Sequence, residues 1–200
     1  MQTLLVATTN EGKLSELRDL LGDSRFKICS LNNLPDLVRI DESGATFVEN
    51  ASLKASGYAI QAGILTLADD SGLEVCALRG APGVLSARYA GEHASDADRI
   101  NKLLNDLSLV GSDNRSARFV SAIAIANNSG KILDVSLGSC EGMIANAPRG
   151  SAGFGYDPIF VPNGYDLTFA ELLPEMKNQI SHRAQALAQA RDFLRSLTVA

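Results

Sequence analysis

Asp69 and Asp70 close the apolar run Ile64-Leu65-Thr66-Leu67-Ala68 and are followed at once by Ser71-Gly72. A short apolar run bounded by turn-forming residues reads as a buried strand, and two carboxylates at its end repel each other. A fold that tolerates them there needs a cation, a proton or a positive group of a substrate beside them. Mg2+ meets that need, because this hard ion takes oxygen ligands and is usually held by one or two carboxylates together with substrate phosphates. The competing reading is an Asx turn with Ser71-Gly72, in which the aspartates serve only the backbone.

The rest of the composition narrows the setting. Two hundred residues, 46% hydrophobic and 20% charged, suit a single globular domain over residues 1–200 with a full core. A net charge of -5 argues against a nucleic-acid binder, which carries a basic face. Cys29, Cys76 and Cys140 form no C-x-x-C pair and are odd in number, so buried free thiols in a reducing cytosol are expected. Met1-Gln2-Thr3-Leu4 lacks a basic, apolar leader and no segment is long enough to span a bilayer, which points to a soluble, cytoplasmic protein.

Periodicity places the elements. Residues 3–9 read as a buried strand entering the polar turn Thr9-Asn10-Glu11-Gly12-Lys13, after which Leu14, Leu17 and Leu21 recur at helical spacing up to Gly22. Phe26 to Leu31 suits a second strand. Thr46-Phe47-Val48-Glu49 has the form of a capping box, predicting a helix to about Gly63 with Asn50 and Lys54 on one face. Leu73 to Leu78 looks extended, and Arg79 to Gly91 is a loop punctuated by Gly and Pro. Ser95 can cap a helix bearing Ile100, Leu103, Leu104 and Leu107. Phe119–Ala126 and Ile132–Ile144 read as a long hairpin turning at Asn128-Ser129-Gly130. Thr168-Phe169-Ala170-Glu171 offers another capping box for a helix ended by Pro174, and Ser181 to Leu197 a last helix.

Several segments can carry chemistry. The turn Thr8-Thr9-Asn10-Glu11-Gly12-Lys13 opens a helix, where amides point outward and a lysine adds full charge, a setting for a phosphate, although it is not a Walker A sequence and a solvent-facing turn looks the same. Lys54 reads either as a partner of that site or as a surface lysine. Glu42 lies in an irregular acidic segment, where a side chain can serve a cleft or only solvent. Gly150-Ser151-Ala152-Gly153-Phe154-Gly155-Tyr156-Asp157-Pro158 puts two aromatics and an acid in a glycine-rich loop, where backbone can approach a flat ligand and Phe154 stack on a base; a mobile loop with ordinary hydrophobic anchors is the competing reading. Lys177, Ser181, His182 and Arg183 surround the start of the last helix. Neither His93 nor His182 has the spacing of a metal site or a Ser-His-Asp triad.

Taken in order, Thr8-Thr9-Asn10-Glu11-Gly12-Lys13, Thr46-Phe47-Val48-Glu49-Asn50-Ala51, Ala68-Asp69-Asp70-Ser71-Gly72-Leu73, Gly80-Ala81-Pro82-Gly83, Ser86-Ala87-Arg88-Tyr89, Gly153-Phe154-Gly155-Tyr156-Asp157-Pro158 and Ser181-His182-Arg183 resemble the inosine triphosphate pyrophosphatase family, from about residue 3 to residue 190. The resemblance implies an α/β fold, elongated and two-lobed, with a long twisted mixed sheet flanked by helices and an active-site cleft between the lobes. It implies magnesium-dependent cleavage of ITP, dITP and XTP to the monophosphate and pyrophosphate by a homodimer. It also implies roles: Thr8, Thr9, Asn10, Glu11, Gly12, Lys13 and Lys54 for the phosphates; Glu42 and Asp70 for Mg2+, with Asp69 beside them; Asp70, Asp69 and Lys13 as the catalytic set, with Asp70 the proton acceptor for the attacking water; Ser71 on the substrate. Phe154, Gly155, Tyr156 and Asp157 enclose the base, Lys177 approaches it, and His182 with Arg183 reads its edge. The chain departs from the commonest family form at Thr9, where glycine is frequent, and in the loose match of Asp41-Glu42.

Two other readings compete. A pyrophosphatase of similar architecture can act on other modified nucleotides. A non-catalytic nucleotide sensor would keep the pocket and lose an acid, whereas Asp69, Asp70, Lys13 and Lys54 are all present.

Overall fold

The computed structural model describes residues 2–22, 26–111 and 113–197; Met1, Asp23–Arg25, Ser112 and Thr198–Ala200 lie outside the described residues, and with them the extreme ends of the expected 1–200 domain. The order is β1 (Gln2–Val6), α1 (Glu11–Leu21), β2 (Phe26–Ser30), α2 (Phe47–Ala62), β3 (Leu65–Val75), α3 (Asp96–Val110), β4 (Ser116–Ala126), β5 (Ile132–Ile144), β6 (Phe160–Pro162), α4 (Pro174–Ile180) and α5 (His182–Ser196). The strands form one mixed sheet in the order β2-β1-β3-β4-β5-β6. β1 runs parallel to β2 and to β3, with Leu4 opposite Leu65 and Val6 opposite Leu67, whereas β5 and β6 are antiparallel.

The chain divides into two compact units, the first comprising residues 1–70, 121–138 and 183–200 and the second residues 71–120 and 139–182. In the first, Leu4, Val6, Leu65, Leu67, Ile123 and Ile125 pack against Leu14, Leu17 and Leu21 of α1 and against Ala186, Leu187, Ala190 and Leu194 of α5. The leucines recur at helical spacing, so one face of α1 enters the core, and each contributes about 1.5–3 kcal/mol by leaving water. Asn10 fixes where that helix starts, its side chain accepting from the Lys13 amide at 3.0 Å. In the second unit Ile100, Leu103 and Leu107 of α3 join Leu73, Val75, Ala117, Cys140 and Ile144. Phe119, Phe160 and Phe169 complete this core, with ring centroids 4.7–5.9 Å apart.

Local signals placed most elements well. The Thr46–Glu49 capping box forms and α2 ends against Gly63; Ser95 and Asp98 box the start of α3 in the same way. β4 and β5 are neighbours joined at the Asn127–Lys131 turn, where the Asn127 side chain accepts from the Ser129 and Lys131 amides.

Four expectations are corrected. β3 does not end at the aspartates but runs through them to Val75, with Lys13 paired to Asp69 and Lys54 to one oxygen of Asp70; the Asx-turn reading fails with it. The extended segment after them gives way to a 3-10 turn at Cys76–Leu78. Thr168–Glu171 forms a turn and no helix: the Glu171 carboxylate does accept from the Thr168 amide at 2.8 Å, yet the helix that follows begins at Pro174 instead of ending there. Proline suits that first helical position, where its missing N–H has no intrahelical partner to lose. Of the three thiols Cys140 is buried, Cys29 is half-buried and Cys76 is exposed. No helix among the described residues is long and apolar enough to cross a membrane.

Candidate active site

In the first unit, the residues expected around phosphate and metal converge on the middle of β3. Lys13, in the first turn of α1, sets Nζ 2.8 Å from Asp69 Oδ2. Ser121 Oγ donates to Asp69 Oδ1 at 2.5 Å, and Arg183 Nη2 lies 3.6 Å from Asp69 Oδ2. Arg183 also pairs with Glu16 of α1 through Nη1. Burial pushes the Asp69 carboxyl pKa up, but the charges of Lys13 and Arg183 and the hydrogen bonds from Lys13 and Ser121 outweigh it and hold the group well below the usual carboxylate range. Burial dominates for Lys13, whose pKa is lowered, with Lys54 and Arg183 adding to the effect and Asp69 opposing it.

Lys54 organises the second half of this cluster. It is buried on the inner face of α2, and Nζ donates to Glu42 Oε2 at 2.8 Å, to the Asp69 carbonyl at 2.9 Å and to Asp70 Oδ1 at 3.1 Å. Burial opposes its charge, yet Asp70 and Glu42 prevail and raise its pKa. Glu42 reaches this point because its segment is pinned to the start of α2: the Gly44 amide donates to Asn50 Oδ1 at 2.8 Å and the Ala45 amide to Glu49 Oε2 at 2.6 Å. A side chain at Gly44 would place Cβ 2.7 Å from Asn50 Oδ1, so glycine is required for that approach. Burial works against the Glu42 charge too, but Lys54 and Lys13 leave its pKa lowered.

Asp70 differs from its neighbours. Burial raises its pKa, Lys54 and Lys13 pull it down, and the negative charges of Glu42 and Asp69 push it up again, leaving a net rise. Its Oδ2 atom is buried without a hydrogen-bond partner among the described residues. An orphaned carboxylate oxygen beside a second carboxylate is short of positive charge, and a hard divalent cation fits that pair of oxygen donors. No group of three or more His, Cys, Asp or Glu suited to a metal occurs among the described residues.

The turn before α1 lies at the edge of this cluster. Thr8 is half-buried, Thr9 and Asn10 are exposed, and Glu11 and Gly12 head the helix, with Glu11 Oε1 accepting from Asn32 Nδ2 at 2.7 Å. Ser71 follows Asp70 on β3 and is half-buried.

The second unit holds the residues expected at the base. Asp157 is buried and accepts from the Phe154 amide at 2.9 Å and from Lys177 Nζ at 2.5 Å. Lys177 stands over the rings of Phe154 and Phe169, 5.0 and 5.4 Å from their centroids. Gly155 donates its amide to Asp96 Oδ2 at 2.7 Å. Tyr156 is a core residue whose hydroxyl donates to the Ser86 carbonyl at 3.0 Å. Burial raises its pKa, against Arg99, with help from Tyr89 and Asp96, so it stays a neutral donor. The buried His182 ring stacks on Phe119 at 4.7 Å.

Arg183 belongs to the first unit, where it pairs with Glu16 and Asp69. Sequence reading missed Glu16, Ser121 and Asp96. Glu16 follows Lys13 by three residues on one helix, a spacing that puts both on neighbouring turns of the same face. Ser121 was legible as the one hydroxyl on the buried face of β4, between Phe119 and Ile123.

Comparison with known proteins adds an independent line. The sequence pattern of the Ham1 family matches residues 4–193. A dITP/XTP pyrophosphatase of Desulforamulus reducens is 48% identical over 196 residues, covering 98% of this chain and 97% of its own. The protein of that name from Geobacter sulfurreducens is 47% identical over 194 residues, 97% of each chain. A solved HAM1 protein from Coxiella burnetii superposes with a TM-score of 0.90 at 45% identity, covering 98% of this chain and 100% of that one. The Ham1 protein of Staphylococcus aureus gives 0.85 at 39% identity, with 97% and 98% covered. The expected mixed sheet flanked by helices is thus also the fold of these proteins. A family pattern that begins in β1, passes through the buried lysine–aspartate cluster and ends in α5 leaves one assignment: the chain belongs to the Ham1 family.

Proposed function

We propose that this protein hydrolyses non-standard purine nucleoside triphosphates, dITP, XTP and ITP, to the monophosphate and pyrophosphate, with Mg2+ as its metal. The relative from Desulforamulus reducens carries the name dITP/XTP pyrophosphatase across nearly the whole of both chains, and the residues such chemistry needs sit together here around β3. Asp70, with an orphaned oxygen, is the observation that carries the chemical half of this reading.

Glu42 and Asp70 are the residues to hold the ion, which supplies charge neutralisation on the polyphosphate. Lys13, Lys54 and the amides at the head of α1 bind phosphate oxygens. Asp70 orients a water toward the α-phosphorus and takes its proton. The new bond joins water oxygen to the α-phosphorus, the bond to the β-phosphate oxygen breaks, and pyrophosphate leaves. Asp69 holds Lys13 and Arg183 in place and touches no substrate. Phe154 stacks on the purine, while Lys177 and His182 supply donors to its 6-keto edge; adenine presents an amine there, donor against donor.

Residues 1–200 act as one catalytic domain, and the family resemblance supports a cytoplasmic homodimer. The deciding experiment is a substrate panel with Mg2+ and product identification. Turnover of dITP, XTP and ITP to monophosphate and pyrophosphate far faster than of ATP and GTP is expected; equal rates on all would overturn the reading.

A further inference from the structure

The glycine-rich loop that carries Phe154 is conformationally loose by composition. Gly150, Gly153 and Gly155 take φ of +79°, +75° and +61°, values that few other residues adopt, and glycines also leave an unbound loop many alternatives. Something must hold it if an aromatic ring is to meet a base in one place. Within the loop, Asp157 accepts from the Phe154 amide, and Lys177 fixes Asp157. From outside, Asp96 reaches the residue after the ring: its Oδ2 accepts from the Gly155 amide at 2.7 Å.

Asp96 is suited to this by position. It is the first residue of α3, so its carboxylate is favoured by the helix dipole, and it is not needed for capping, which Ser95 and Asp98 perform between themselves. Its other oxygen pairs with Arg99, whose Nη1 donates to the carbonyls of Ala87 at 2.7 Å and Ala94 at 3.0 Å. The carboxylate therefore has a fixed orientation, set by a guanidinium that is itself anchored to main chain. A charged acceptor on a backbone amide is among the stronger hydrogen bonds a protein makes.

We infer that Asp96 is a positioning residue for the purine: by holding the Gly155 amide it fixes the Phe154 ring as a stacking surface, and so sets affinity for the base without taking part in phosphate chemistry. This rests on the pyrophosphatase reading above. Because stacking tolerates any purine, its loss weakens inosine and guanine nucleotides by the same factor. Because Asp96 is absent from the cluster around Asp70, kcat and the binding of a ligand without a base are spared.

The test compares the full-length protein with Asp96→Ala, Asp96→Asn and Asp98→Ala. In Asp96→Ala, KM for ITP and for GTP should each rise about tenfold, with kcat within about twofold of the parent and the inhibition constant of inorganic tripolyphosphate unchanged. Asp96→Asn keeps a carbonyl acceptor and should recover most of the loss. Asp98→Ala weakens the helix start but should leave KM alone. Unchanged KM in Asp96→Ala, an equal rise in Asp98→Ala, or weakened tripolyphosphate inhibition would overturn the assignment. Amide exchange at Gly155, read by NMR without nucleotide, separates this from failure of the activity. If the parent protein turns over no ITP the functional reading falls, while faster exchange in Asp96→Ala still supports the latch and unchanged exchange removes it.

Discussion

Lys13 Nζ stands 2.8 Å from Asp69 Oδ2, an ion pair between the first turn of α1 and the middle of β3 in which the carboxylate has no exposed surface. Breaking a pair of this kind from one side leaves a buried charge, which costs about 3–5 kcal/mol. Asp69→Ala strands Lys13 and Arg183 together and should lower the unfolding free energy by about that amount in urea melts. Lys13→Ala is expected to cost less, because Arg183 and Ser121 still serve Asp69, yet to lower kcat/KM about 100-fold or more through the lost phosphate contact. A Lys13→Ala enzyme with full activity would remove the lysine from the site.

Asp70→Asn keeps the shape and an acceptor for Lys54 but removes the proton acceptor. Its kcat should fall about 100- to 10,000-fold, with a melting temperature within a few degrees of the parent. Persistent turnover at the parental rate would show that another group takes the proton.

Glu42 and Asp70 should govern the response to Mg2+. Millimolar Mg2+ is expected to raise the melting temperature of the parent protein, since a ligand bound only by the folded state stabilises it by mass action. Glu42→Gln should require about tenfold more Mg2+ for half-maximal activity, and Asp70→Asn should lose the thermal shift. An undiminished shift in both variants would place the ion elsewhere.

Alkaline stability is tied to Tyr89. Burial pushes its phenol up to about 12, helped by the Asp106 carboxylate that accepts its hydrogen bond at 2.6 Å. The unfolded phenol ionises near pH 10 while the folded one keeps its proton, so the folded state binds more protons and its advantage, complete below pH 10, is lost as pH rises to about 12. Denaturant melts across that window should show a falling stability that is shallower in Tyr89→Phe; identical slopes would refute the link.

Gly72 is a packing constraint beside the aspartates. A Cβ there would lie 2.4 Å from Ser86 Oγ and 2.6 Å from the Gly83 carbonyl, and Ser86 is already held by the Leu73 amide at 2.9 Å. Gly72→Ala should destabilise by about 1–3 kcal/mol, read from urea melts, because a main-chain carbonyl cannot step aside as a side chain can.

Signals confined to a few consecutive residues were legible in the sequence. The Thr46–Glu49 box, Ser95 before α3 and the leucine period of α1 each state a local hydrogen bond or a helix face, and each formed. What stayed hidden depends on residues far apart in the chain. Nothing local says that Lys13 and Lys54 will pair with Asp69 and Asp70, so the strand was expected to stop where charge began. Glu171 made its local contact with Thr168 without a helix following, because the cap describes a turn's hydrogen bonds and not what comes after them. The resemblance sets Arg183 beside His182 at the base, and what it does not state is the surroundings of each side chain: His182 stacks on Phe119 while Arg183 meets Asp69.

Because β3 passes straight through Asp69 and Asp70, their side chains leave the sheet in opposite directions. One backbone rung thereby gives two identical functional groups separate trades, one sealed among basic side chains and one left chemically unsatisfied. Deleting a single residue earlier in β3 would turn both acids to the opposite faces, set Asp70 among the partners of Asp69 and leave Ser71 where Asp70 had been. The register of this strand is therefore as much a determinant of turnover as either carboxylate.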